Sequence, residues 1–127
     1  MIAEDLCRAY LTALNAGSRD AVRALFTSDA VVVSPLYGIW PAEAFFKDLF
    51  AATRQSQTTL TNVFASVRDK ATIALQFRYR WILATGKTVE FECVDVFELT
   101  DDREHVQKLT IVYDTAPLRV DWEAARI

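Results

Sequence analysis

TIALQFRYRWILATGKTVEFECVDVFEL, residues Thr72 to Leu99, reads as two strands folded back on each other about Gly86. Leu75, Phe77, Tyr79 and Trp81 share one parity in the first half. Val89, Phe91, Cys93, Asp95, Phe97 and Leu99 share one in the second. Side chains of one parity in a strand point to one face of the sheet. If Ala84-Thr85-Gly86 is a three-residue loop with Gly86 left-handed, Trp81 faces Val89, Tyr79 faces Phe91, Phe77 faces Cys93 and Leu75 faces Asp95. The opposite face then sets Arg80 against Glu90 and Arg78 against Glu92. A slip of one residue would put Trp81 on Glu90 and Arg80 on Phe91, so this register is strongly specified.

The register leaves one acid out of place. Asp95 sits in the apolar row with no charged partner in the neighbouring strand. A carboxylate taken out of water must be neutralised, hydrogen-bonded or used. Asp95 is therefore the best single pointer to a functional pocket.

Upstream of the hairpin the pattern is helical. Ala3 to Asn15 places Leu6, Tyr10, Ala13 and Leu14 at helical spacing, Gly17 suits the end of that helix, and Ser18 can cap the next. The second helix is expected over Arg19 to Phe26, with Val22, Leu25 and Phe26 buried, and a β-branched strand over Ala30 to Ser34. Pro35 interrupts it, and Leu36 to Trp40 can form a second short strand. Pro41 suits the first position of a third helix, expected to reach about Ser56 with Phe45, Phe46, Leu49 and Phe50 on its apolar face. The remaining strands are expected over Thr58 to Arg68, Thr72 to Leu83, Lys87 to Thr100 and Val106 to Asp114, with a turn or short helix around Trp122.

The 127 residues suit one domain, spanning 1–127, and an apolar share of 52% suffices for its core. A net charge of −3 argues against a nucleic-acid surface. No apolar run reaches membrane-spanning length and the N-terminus lacks a signal-peptide core, so neither membrane nor nucleic acid is an expected partner. Two isolated cysteines on apolar positions, Cys7 and Cys93, suit free thiols in a reducing cytoplasm. With His105 the lone histidine, placed in the charged turn 101–105, a multi-histidine metal site is excluded and no cofactor is expected.

The order helix–helix–strand, helix, then a long sheet resembles the nuclear transport factor 2-like superfamily. The residues that carry the resemblance are Ala9-Tyr10-Leu11-Thr12-Ala13-Leu14-Asn15-Ala16-Gly17-Ser18, Ala24-Leu25-Phe26 with Asp29-Ala30-Val31, Asp95-Val96-Phe97-Glu98-Leu99, and Ile111-Val112-Tyr113-Asp114-Thr115-Ala116. The ending is similar to SnoaL-like proteins and the opening to ketosteroid isomerases. The resemblance implies an α+β, cystatin-like cone: three N-terminal helices packed on a curved antiparallel sheet, enclosing a cavity. Its expected lining is Tyr10, Trp40, Phe46, Phe77 and Tyr79, with Trp81, Phe91, Cys93, Asp95 and Tyr113. Aromatic walls with a few polar tips are the usual composition of a small-molecule pocket.

By resemblance to the isomerases, Tyr10 and Asp95 match the two halves of an oxyanion hole, in which a desolvated, protonated acid and a phenol stabilise an enolate oxygen. Read as residues alone, Tyr10 is an amphipathic core side chain and Asp95 satisfies a buried polar group. The base that the isomerases carry before a proline is missing; Ser34 stands there, a turn residue or ligand contact. SnoaL-like cyclases place an acid near Asp114, giving either a general acid/base or a cap of the strand-to-tail turn. The expected function is binding of a small, largely apolar carbonyl compound, with cofactor-independent cyclisation, isomerisation or dehydration as the chemistry. The alternative is a non-catalytic ligand-binding or dimerisation module. Epoxide hydrolysis would need an Asp–Arg–Asp set, and Arg78 and Arg80 point the wrong way. The outward face mixes Ala74, Ile82, Val94 and Val96 with paired charges, as a homodimer interface does.

Overall fold

A computed structural model describes residues 2–126. The first helix, α1 (Ala3–Ala16), buries the face carrying Leu6, Cys7, Tyr10 and Leu14. It stops at Gly17, whose φ of 61° is left-handed, with the Gly17 and Ser18 amides donating back to Leu14 and Ala13. Ser18 then accepts a hydrogen bond from the Ala21 amide at 3.1 Å and starts α2 (Arg19–Leu25). The chain passes directly into β1 (Phe26–Ser34), so Phe26 begins a strand where the pattern favoured a last helical turn. β2 (Gly38–Pro41), α3 (Ala42–Ala51), β3 (Thr53–Ala65), β4 (Thr72–Leu83), β5 (Thr88–Leu99), β6 (Val106–Val112) and α4 (Arg119–Ala125) complete the order.

The third helix ends five residues before the expected Ser56. From Thr53 the chain is drawn into pairing with β4, and Ser56 is buried opposite Trp81. A twelve-residue strand with an aromatic inner row needs a neighbour along its whole length, and that pairing outweighs local helix preference. The strand expected from Thr58 therefore begins at Thr53 and stops at Ala65.

The six strands lie in the order β2-β1-β6-β5-β4-β3. Neighbours run antiparallel except β1 with β6, which are parallel. Register shifts in β3 near Thr53 and Leu60, in β1, and between Glu98 and Leu99 each bend the ladder. Bulges increase twist and curvature, which turns the sheet into an open cone. The predicted register of β4 on β5 is found at every named pair, and Gly86 has a φ of 93° in the loop.

The concave face carries Ile73, Leu75, Phe77, Trp81 and Leu83, all nearly fully buried beneath the helices. The fourth helix closes one end, where Trp122 packs on Tyr37 with ring centroids 5.0 Å apart. Arg126 fixes it there through Asp48 of α3 at 3.0 Å, its guanidinium lying over the Tyr37 and Trp122 rings at 5.1 and 4.8 Å. Among the described residues no helix is long and apolar enough to cross a membrane.

Candidate functional site

Asp95 lies midway along β5, opposite Leu75 of β4 and Ile111 of β6, and only 1% of it meets solvent. The parity of the row places it there. The Cys93 thiol donates to its Oδ1 at 3.1 Å. From α1, Tyr10 descends onto the same carboxyl, its ring edge-on to Phe97 at 5.1 Å. Burial pushes the Asp95 carboxyl up to about 7, and the hydrogen-bonding Cys93 and Tyr10 offset part of that rise.

The surrounding groups are held in their neutral forms. Burial, then the nearby Asp95, raises the Tyr10 phenol well above its ordinary value, and the same two causes raise the Cys93 thiol. Burial, then Asp95, then Glu4 pushes Cys7 up to about 12. Tyr79 is raised by burial against the opposing hydrogen bond with Ser56, whose Oγ lies 2.7 Å from the phenol oxygen. Asp95 is thus the group of this cluster that changes charge near neutral pH.

A void of about 40 Å³ lies against this carboxyl. Of the residues expected to line it, Tyr10, Ser34, Phe77, Tyr79, Trp81, Phe91, Cys93, Asp95 and Tyr113 do so. Ser34 is also the turn residue foreseen, its Oγ accepting from the Leu36 and Tyr37 amides at 3.2 and 3.1 Å. Trp81 is oriented by its indole N–H donating to Thr53 Oγ1 at 2.7 Å. The volume is small beside the several hundred Å³ of a drug-sized pocket, and holds about three waters.

Three expected site residues lie elsewhere. Trp40 is on edge strand β2, three strands from β5, and packs edge-on against Tyr37 at 5.2 Å instead of entering the void. Phe46 is rotated about 100° around α3 from Phe45, which faces the void, and packs on Phe26 at 5.3 Å. Asp114 is exposed and accepts the Ala116 amide at 3.0 Å, capping the turn. Tyr113 points inward, so its neighbour in extended chain points out.

The reading of the sequence missed Leu14, Leu36, Tyr37, Phe45, Leu49 and Ile111 in the lining. Ile111 was accessible from parity, two residues before Tyr113. Tyr37 enters through a turn, where no periodicity applies. A roomier groove of about 100 Å³ lies behind Phe46, bordered by Arg19, Arg23 and Glu43. It holds no buried charge, so chemistry is better placed at Asp95. Among the described residues no three His, Cys, Asp or Glu side chains gather as a metal would require.

The Asp95 site can donate hydrogen bonds to an oxygen, but among the described residues no second acid or histidine lines the void. A helix-capped, curved sheet of this order recurs in solved structures. One is a protein of ketosteroid isomerase-like fold from Catenulispora acidiphila in complex with trimethylamine (12% identity, 89% of this chain and 88% of that one, TM-score 0.74). Another is a Jannaschia protein assigned as a SnoaL-like polyketide cyclase (18%, 97% and 94%, 0.72). A third is AclR of Streptomyces galilaeus, assigned as a hydroxylase (17%, 98% and 85%, 0.73). At such identities the likeness is one of fold. No curated protein matches the chain by sequence. The SnoaL-like domain model, however, matches residues 7–104, from the α1 cysteine beside the carboxyl to the turn after β5, and the chain belongs to that family.

Proposed function

We propose that the void at Asp95 receives a small, largely apolar carbonyl compound, its oxygen held between the Tyr10 hydroxyl and the protonated Asp95 carboxyl. The observation that supports this is a carboxyl group 1% exposed, with no cation beside it among the described residues, adjoining both a phenol and a cavity. Both donors strengthen their hydrogen bonds as negative charge grows on the oxygen, which favours an enolate over the ketone. Cofactor-independent cyclisation, isomerisation or dehydration all pass through such an oxygen. With Ser34 where a base would stand and Asp114 outside, Asp95 is the residue that moves a proton in any such reaction. Free volume of about 40 Å³ restricts the ligand to a few heavy atoms unless the aromatic walls part.

The test is titration with cyclopentanone followed by amide shifts around Cys93 and Asp95. Binding is expected below pH 7 and to weaken above it, and Asp95→Asn and Tyr10→Phe each weaken it about five- to tenfold, the worth of one hydrogen bond. Equal affinity in all three proteins removes the proposed roles. The same small volume favours a second reading, a non-catalytic module whose cone is filled by its own aromatics. Failure of cyclopentanone and of other molecules of its size to bind at any pH selects it.

Self-association suits the outer sheet face. One transverse row there joins Phe64, Ala74, Val96, Thr110 and Val33, and the next row carries Glu98 and Lys108 3.8 Å apart. A patch of both signs complements itself about a two-fold axis. Sedimentation equilibrium of wild type and Val96→Glu tests this, a shift from dimer to monomer being expected. The free thiols Cys7 and Cys93 suit a reducing cytoplasm, and one domain accounts for the element order.

A further inference from the structure

We propose that the same void also receives a small alkylammonium cation, held by the surrounding aromatic rings and the Asp95 carboxylate. The inference rests on the reading above only in taking the void to be a ligand site. Its own basis is the chemistry of the wall. Phe77, Tyr79, Trp81, Phe91 and Tyr113 form a continuous run of rings. Tyr79 is stacked on Phe91 at 5.3 Å and 19°, and Phe91 lies 4.6 Å from Tyr113. All five rings line the void, and aromatic walls of this kind attract a desolvated cation wherever a ring face is left free of its neighbours, methylated ammonium groups most of all.

A separate ring group of the protein, Tyr37 with Trp122, already holds a cation in this way. Tyr37, which lines the void, holds the Arg126 guanidinium over its ring at 5.1 Å. Inside, the rings share the void with a carboxyl that has, among the described residues, no cation to balance it. The titratable groups facing Asp95 are Cys7 and Tyr10 from α1, Tyr79 from β4, Cys93 on β5 and Tyr113 beyond β6. All are acids kept neutral, so none supplies the missing positive charge. A methylated ammonium would supply it; methylammonium itself suits the free volume of about 40 Å³, and the more methylated ions require the aromatic walls to part. Such a ligand asks for the ionised form of Asp95, whereas a carbonyl oxygen asks for the protonated form.

The two ligand classes therefore respond to pH in opposite senses, and one experiment separates them. Tetramethylammonium, its neutral isostere tert-butanol, and cyclopentanone are titrated at about pH 5.5 and pH 8.5, with amide shifts as the readout. Tetramethylammonium binding is expected to strengthen at least tenfold between the two, following ionisation of Asp95. tert-Butanol should bind more weakly and show no such rise. Asp95→Asn abolishes the rise, and Phe91→Leu, which keeps the site apolar without the π face, weakens the cation selectively. The inference is overturned if tetramethylammonium binds no better than tert-butanol, or if its affinity is flat or falling with pH. Cyclopentanone binding at low pH in that event leaves the carbonyl reading standing. Cation binding that rises with pH while cyclopentanone fails everywhere supports this inference and removes that reading.

Discussion

The two faces of the β4–β5 hairpin carry acids under opposite conditions. On the outer face Glu90 lies 3.8 Å from Arg80, and Glu92 accepts from Gln76 at 2.5 Å, both in contact with water. On the inner face, three residues along the same strand, Asp95 has a thiol and a phenol for company and, among the described residues, no cation. The outer acids keep their contact with water, and pairing between exposed groups contributes little. The inner one carries the desolvation penalty and is pushed up to about 7. The acids on both faces carry the same carboxyl group; side-chain direction makes one set surface chemistry and the other a titrating centre.

Removal of inner packing is expected to show the largest effect. Phe97→Ala, at a site with no solvent exposure, should cost about 3–5 kcal/mol in urea unfolding, against less than about 1 kcal/mol for Val96→Ala on the outer face. Comparable losses at the two positions would break the contrast.

The pH dependence comes next. Asp95 binds its proton more tightly folded than unfolded, so its contribution is most favourable below about pH 4 and is lost as pH rises through about 7. Stability should fall by a few kcal/mol across that window, and Asp95→Asn should remove that part of the slope. A wild-type profile unchanged by Asp95→Asn would show the carboxyl to be already solvated. Carbon-13 observation of the Asp95 carboxyl reads the same quantity directly.

Smaller effects test the frame that sets the faces. Gly86→Ala should cost about 1–2 kcal/mol, because φ of 93° is unfavourable for a residue with a Cβ and that atom would meet Arg54 Nη1 at 3.3 Å. A double-mutant cycle on Arg80 and Glu90 should give a coupling of about 0.2–1 kcal/mol that shrinks in salt. A coupling several times larger would mean the outer face is itself desolvated, as in a dimer.

The sequence by itself determined the hairpin, its register and the inward direction of Asp95, because strand alternation is local and Gly86 pins the turn. It also carried most of the lining, since Phe77, Tyr79, Trp81, Phe91 and Cys93 share that alternation. Only the tertiary structure decided which aromatic residues meet the void. Trp40 is held away by strand order, Phe46 by its angle around α3, and Asp114 by the end of β6. Tyr37 arrives through a turn and is held by Trp122 and Arg126 from the far end of the chain. The length of the third helix escaped for the same reason: residues 53–57 lack a decisive period of their own, and pairing with β4 assigned them to the sheet. Periodicity fixes which way a side chain points within its element; where elements cross, and how much space remains between them, follows from long-range packing.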